Sequence, residues 1–184
     1  VSPKGSYVSL ADRSESLPAP RGSYCDKTGM TAPILTPAGY YTSDKSATSG
    51  TATPCPAGTF SGIGASMCTK CPAGQFSATA ASSKCALAQP GYYVAAAGAS
   101  AATPAPAGMY VPAEMSTSVS DICAVGKFSV TGQSTCTPCP AGSFNAATKA
   151  AVCSPCGGGS YAPSGSTACT VAPAGTYVDS TDPR

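Results

Sequence analysis

Large apolar side chains are scarce in this chain, and they recur at a fixed interval. All 13 aromatic residues (9 Tyr, 4 Phe) lie one or two positions after a glycine, in a phrase that reads Pro-Ala-Gly-x-Tyr/Phe. The glycines of the phrase are Gly5, Gly22, Gly39, Gly58, Gly74, Gly91, Gly108, Gly126, Gly142, Gly159 and Gly175, spaced 16 to 19 residues apart. Two positions after them stand Tyr7, Tyr24, Tyr41, Phe60, Phe76, Tyr93, Tyr110, Phe128, Phe144, Tyr161 and Tyr177. Tyr40 and Tyr92 each precede one of these. Self-similarity at a fixed period marks a repeat array, in which one unit cannot bury its apolar face without a neighbour.

The local pattern predicts short strands and turns. Pro and Gly in most repeats break any apolar pattern of period 3.6, so no long helix is expected. The Ala-rich stretch 95–102 is the best helical candidate, but it contains Gly98 and runs into Pro104. A loop or polyproline-like path fits it better. Segments such as Gly58-Thr59-Phe60-Ser61 read as two-sided strands bounded by turns. Each repeat is expected to be an irregular hairpin. Its Pro fixes the entry, its Gly supplies positive φ or close backbone approach, and its aromatic packs on the next repeat. The expected fold is a small disulfide-rich, mostly β and irregular, solenoid-like elongated rod of about eleven repeats of roughly 17 residues. At about 5–10 Å per unit it would span about 50–110 Å.

Composition narrows the picture. Ala, Ser, Thr, Gly and Pro make up 117 of the 184 residues, against four Leu, three Ile and no Trp. Such a chain cannot build one large core and is either disordered or held by many small local devices, and the regular aromatics and cysteines favour the second. Eleven cysteines in a small chain point to an oxidising, extracellular or cell-surface location. Ten basic and eight acidic residues are scattered singly, so no basic stripe for nucleic acid exists. No apolar run approaches membrane-spanning length. The sequence opens at Val1 rather than Met, as in a trimmed product or a part of something longer.

The cysteines follow the repeat. Cys55, Cys71, Cys123, Cys139 and Cys156 stand three positions before a repeat glycine. Cys68, Cys85, Cys136, Cys153 and Cys169 stand ten or eleven positions after one. Repeats that lack the first also lack the second: Thr36 goes with Ser49, Ala88 with Ala101, Ala105 with Val119. Paired presence and paired absence point to bonds Cys55–Cys68, Cys71–Cys85, Cys123–Cys136, Cys139–Cys153 and Cys156–Cys169. Each would close a loop worth about 3 kcal/mol in the chain-entropy model. The pattern divides one array into cysteine-poor repeats (1–54), stapled repeats (55–85), cysteine-free repeats (86–122), stapled repeats (123–169) and a terminal repeat with its tail (170–184). Three Cys-x-x-Cys pairs arise where one loop ends and the next begins. Zinc and redox sites share that spacing, but the repeat explains it, and the absence of His removes mixed Cys/His ligation. Cys25 has no slot partner and is either unpaired or engaged in an intermolecular bond.

The phrases Cys55-Pro-Ala-Gly-Thr-Phe-Ser61, Cys68-Thr-Lys-Cys71-Pro-Ala-Gly-Gln-Phe-Ser77 and Cys136-Thr-Pro-Cys139-Pro-Ala-Gly-Ser-Phe144 resemble the ephrin-receptor-like cysteine-rich repeat. That repeat is similar in style to the modules of tumour-necrosis-factor receptors. The resemblance is close over 55–85 and 123–169 and degenerate over 1–54 and 86–122. Such repeats occur in extracellular proteins of animals, protists and algae, including filament proteins such as those of flagellar mastigonemes. The resemblance implies a disulfide-stapled extracellular rod. It implies no particular ligand and carries no catalytic residues.

Candidate chemistry is correspondingly sparse. With no His, two Glu and six Asp, no acid/base dyad or activated nucleophile is legible, and no catalytic or metal-binding residue is assigned. Gly157-Gly158-Gly159 is a variant of Pro-Ala-Gly and lacks the Lys-Ser/Thr of a phosphate loop. No cofactor is expected. Covalent sugar is the better expectation. The single Asn145 is followed by Ala-Ala and forms no sequon, whereas Ser and Thr interspersed with proline suit O-linked glycans. Pro3, Pro20, Pro33, Pro37, Pro54, Pro104, Pro106, Pro138, Pro155, Pro163 and Pro173 follow Ala, Ser or Thr and are candidates for hydroxylation or glycosylation.

Two functions are consistent with this reading. One is a structural subunit of an extracellular filament that partners with itself. Gly175 lies nine residues before Arg184, and Gly5 of a following copy would come five further on, so the pitch nearly continues across a junction. The other is a ligand-binding or adhesion ectodomain fragment. Its candidate patches are the segments from Met30 to Leu35 and from Met109 to Met115.

Overall fold

The computed structural model describes residues 1–11, 15–48, 52–176 and 178. Among them the helical and strand elements are all strands, each two residues long, and they pair into ten antiparallel hairpins. The first strand of a hairpin holds the repeat aromatic, and the second lies just before the next repeat phrase. Thus Thr59–Phe60 pairs with Thr69–Lys70, and Lys127–Phe128 with Thr137–Pro138. Stapled and unstapled repeats form the same hairpin: Tyr92–Tyr93 pairs with Thr103–Pro104 without any cysteine. The hairpin is therefore set by something common to all repeats.

That common element is the turn around the repeat glycine, most often written Pro-Ala-Gly-x. The amide after each repeat glycine donates to the carbonyl two residues before that glycine, as from Thr59 to Pro56 and from Ser143 to Pro140, both 3.1 Å. The glycine itself has φ near +80°, for example +83° at Gly58 and +80° at Gly142. A four-residue turn with positive φ at its third position is the type II pattern, which an L side chain opposes.

The repeats are then joined by main-chain hydrogen bonds of fixed register. The amide of Gly5 donates to the carbonyl of Cys25, Gly22 to Thr42, Gly108 to Ser129 and Gly126 to Asn145, at 2.8–2.9 Å. Each acceptor lies three residues after the next repeat's glycine. A second bond runs from the residue at this position to the tip of the following hairpin, as from Val94 to Ser116 at 2.9 Å. A third binds the tip back, as from Gly98 to Cys71 and from Lys149 to Cys123, both 2.8 Å.

The chain forms two compact units, one of Val1–Leu87 with Ala96–Ala101, the other of Ala88–Ala95 with Ala102–Arg184. Within each, two columns of small residues form the core. The position three before the glycine holds the fully buried Ala19, Thr36, Cys55 and Cys71 in the first unit, and Ala88, Ala105, Cys123 and Cys139 in the second. The position three after it holds the buried Cys25, Thr42, Ser61 and Ser77, then Val94, Val111, Ser129, Asn145 and Ala162. The aromatics from Tyr7 to Tyr161 are half-buried instead, apart from the exposed Tyr92. Backbones joined by hydrogen bonds lie about 5 Å apart and leave no room for a ring between them. Rings flank the joined backbones; small side chains fill them.

Candidate functional surface

The five disulfides join Cys55 to Cys68, Cys71 to Cys85, Cys123 to Cys136, Cys139 to Cys153 and Cys156 to Cys169, with Cα separations of 5.6–5.8 Å. These are the pairs that the slot pattern points to. Both sulfurs of every Cys-x-x-Cys pair are committed to different bonds: Cys68 closes one hairpin and Cys71 opens the next. The half-cystine before the glycine is fully buried in the first four pairs, and its partner is half-buried.

Cys25 occupies a different slot from all ten of these. It lies three residues after Gly22, where other repeats place Thr42, Ser61 or Val94, and it is free and fully buried. Burial pushes its thiol up, and the neighbouring Asp26 carboxylate adds to the effect. One carboxylate oxygen of Asp26 is itself buried without a hydrogen-bond partner. A thiol sealed in this way reacts poorly. Of the two states open to Cys25, the geometry favours the unpaired one.

The polar members of the buried column are satisfied. The Ser61 hydroxyl donates to the Tyr40 carbonyl, the Ser129 hydroxyl to Met109, and the Asn145 amide to Lys127, all at 2.8 Å. Each reaches the first residue after the glycine of the preceding repeat. Thr36 and Thr42 share a hydroxyl–hydroxyl bond of 2.8 Å. Sequence reading missed this column. Its signal is that the residue after each aromatic is small or β-branched.

The second strand of every hairpin faces outward. Its first residue sits opposite the repeat aromatic: Leu17 opposite Tyr7, Ile34 opposite Tyr24, Thr53 opposite Tyr41, Thr69 opposite Phe60 and Ala86 opposite Phe76. In the second unit Thr103 faces Tyr93, Asp121 faces Tyr110, Thr137 faces Phe128, Ser154 faces Phe144 and Thr170 faces Tyr161. All ten of these residues are exposed. Tyr177 lies outside the described residues.

The candidate prolines are mostly on the surface. Pro3, Pro20, Pro37, Pro106 and Pro173 open repeat turns, while Pro54, Pro104, Pro138 and Pro155 end outward strands. Pro163 accepts the Ser166 amide at a hairpin tip. Of all eleven, Pro33 and Pro104 are half-buried and the others exposed.

The two candidate binding patches differ. Leu35 is 58% exposed, yet its side chain also lies over Gly64 of the hairpin tip two repeats on. Met115 sits at a tip in the left-handed region with φ +56°. Beside it a shallow cleft of about 350 Å³ is lined by Val111, Ser116, Thr117, Ser118, Ser120 and Asp121.

Comparison with known proteins adds one finding. Residues 126–162 match the family model described as tyrosine-protein kinase ephrin type A/B receptor-like. That segment is similar to the ephrin-receptor-like cysteine-rich repeats. It runs from one repeat glycine through the next two phrases and includes the whole of the Cys139–Cys153 loop. No curated protein matches the chain. An ephrin-receptor-like segment with this disulfide density suits an oxidising, extracellular setting. No helix among the described residues is long and apolar enough to cross a membrane.

Proposed function

We propose that this chain is a structural, non-catalytic subunit of an extracellular filament, in which each unit is a solenoid-like elongated array and copies join end to end. The carrying observation is that main-chain groups join repeat to repeat in one register, with small residues buried between them. Such a join is indifferent to sequence at most positions, and it is satisfied equally well by a repeat from another copy. No cofactor is needed for this role. The partner is the chain itself. The outward hydroxyls and prolines carry O-linked sugar, which keeps a surface poor in charge from associating sideways.

Electron microscopy of the native, unreduced protein tests the reading. Long fibres with a uniform axial repeat are expected. Monomeric particles at high concentration would overturn it.

A second reading, a ligand-binding or adhesion ectodomain, draws on the exposed Leu35 and Ile34 and on the hydroxyl-lined cleft beside Met115. Partner binding that is lost on substituting Leu35 or Met115, in a protein that forms no fibres, would select it.

A further inference from the structure

We propose that O-linked sugar is attached at one defined slot of the repeat, the hydroxyl directly opposite the aromatic, at Thr53, Thr69, Thr103, Thr137, Ser154 and Thr170, and that each sugar covers the ring across from it. The proposal rests on the O-glycosylated extracellular reading and specifies its sites.

Residues directly opposite in an antiparallel pair share a face, with Cβ atoms about 4.5–5.5 Å apart. Each of these hydroxyls therefore stands beside a half-buried ring on the outer face of its hairpin. In two other repeats the slot is a large aliphatic, while Ala86 and Asp121 fill it opposite Phe76 and Tyr110. Leu17 and Ile34 stand there opposite Tyr7 and Tyr24, and an aliphatic side chain covers a ring well. Thr or Ser extends only one or two heavy atoms beyond Cβ and leaves much of the ring to water. A pyranose or furanose on the hydroxyl restores the cover. Its face of C–H groups meets the electron-rich ring face.

The slot is also open to an attaching enzyme. All six residues are exposed and lie on two-residue extended strands. Thr53, Thr103, Thr137 and Ser154 precede proline, which holds them extended. In the transfer, the side-chain oxygen attacks the anomeric carbon of a nucleotide-activated sugar. A carbon–oxygen bond forms, the sugar–phosphate bond breaks, and the nucleoside diphosphate departs. The hydroxyl proton passes to a base of the transferase, and nothing is oxidised or reduced.

Site mapping by mass spectrometry, with fragmentation that preserves glycans, tests this on the protein isolated from the cells that make it. Sugar mass is expected on these six residues and absent from Thr79, Thr117 and the hydroxyls of the repeat turns. Sugar confined to other hydroxyls or to hydroxyproline would overturn the slot while leaving the glycosylated reading intact. An unmodified chain would overturn both. Tyrosine nitration before and after glycan removal tests the cover. Tyr93 and Tyr161, opposite Thr103 and Thr170, should become several-fold more reactive, while Tyr24, opposite Ile34, should not change. Equal reactivity before and after would refute ring covering.

Discussion

Two glycines of one hairpin separate the intrinsic cost of positive φ from the cost of packing. Gly126 and Gly132 have φ of +76° and +79° and donate equivalent bonds, to Asn145 and Ala105, at 2.8 Å. They differ in what lies beside them. A Cβ on Gly126 would stand 2.2 Å from the carbonyl oxygen of Gly165, two repeats on. A Cβ on Gly132 would make only an ordinary contact, 3.5 Å from the Tyr92 hydroxyl. Gly132→Ala should therefore cost only the left-handed conformation, about 1–2 kcal/mol, less about 0.4–1 kcal/mol from the stiffer unfolded chain. Gly126→Ala adds the displacement of a backbone carbonyl by about 1 Å to reach ordinary contact. The tip at 163–166 must retreat, and it is held by the Gly165 amide on the Cys139 carbonyl at 2.8 Å and by Asn145 on Ser166 at 3.1 Å. Losing one such bond with its groups left buried costs about 1–3 kcal/mol. The expected total is about 2–4 kcal/mol, against about 1 for Gly132→Ala. Urea unfolding of the oxidised proteins gives the totals. Amide exchange at Gly165 and Ser166 locates the damage, which should appear in Gly126→Ala alone. Equal losses in the two variants, with unchanged exchange at the tip, would refute the packing argument.

Three further outcomes are expected. Ala81 and Lys149 hold φ of +60° and +61° at hairpin tips. Ala81→Gly should raise the unfolding free energy measured in urea by up to about 1 kcal/mol, the left-handed strain relieved less the entropy of glycine. Cys25→Ser should change stability by less than about 1 kcal/mol, because Ser61 and Ser129 fill the same slot with a hydroxyl bond to the preceding repeat. Cys25 also sets a pH response. Its folded thiol is raised above the ordinary 9.0, so above that pH the unfolded chain loses a proton that the folded chain keeps. Stability present below pH 9.0 should fall as pH rises through it, and the Cys25→Ser difference curve should isolate that loss. Removing one staple as Cys71→Ala with Cys85→Ala should cost at most about 3 kcal/mol and leave the hairpin intact, since Ala88 and Ala105 fill the same buried slot elsewhere. Proton exchange at the Cys71 position, bonded to the Gly58 carbonyl at 3.0 Å, would report loss of the hairpin if this is wrong.

Much of this molecule was legible in its sequence because the repeat is local. The turn needs positive φ, only glycine supplies it cheaply, and so a glycine two residues before an aromatic marks every described hairpin. The staples were legible for the same reason: the two cysteines of a bond close one hairpin and appear or vanish together. What lay beyond the sequence was the relation between repeats. Gly58 abuts the tip at Gly98, and Gly91 the tip at Gly132, each two repeats away. No spacing rule announces a contact at that distance along the chain. The same geometry decided the core. The sequence draws the eye to aromatics as the large apolar residues, but backbones that hydrogen-bond directly admit only small side chains between them. Thr42, Ser61, Val94 and Asn145 were thereby made the interior, and the rings its flank. It also decided Cys25, whose place among those small residues, rather than in a staple slot, leaves its thiol sealed. Local backbone chemistry wrote the repeat into the sequence; only the register between backbones determined what is inside.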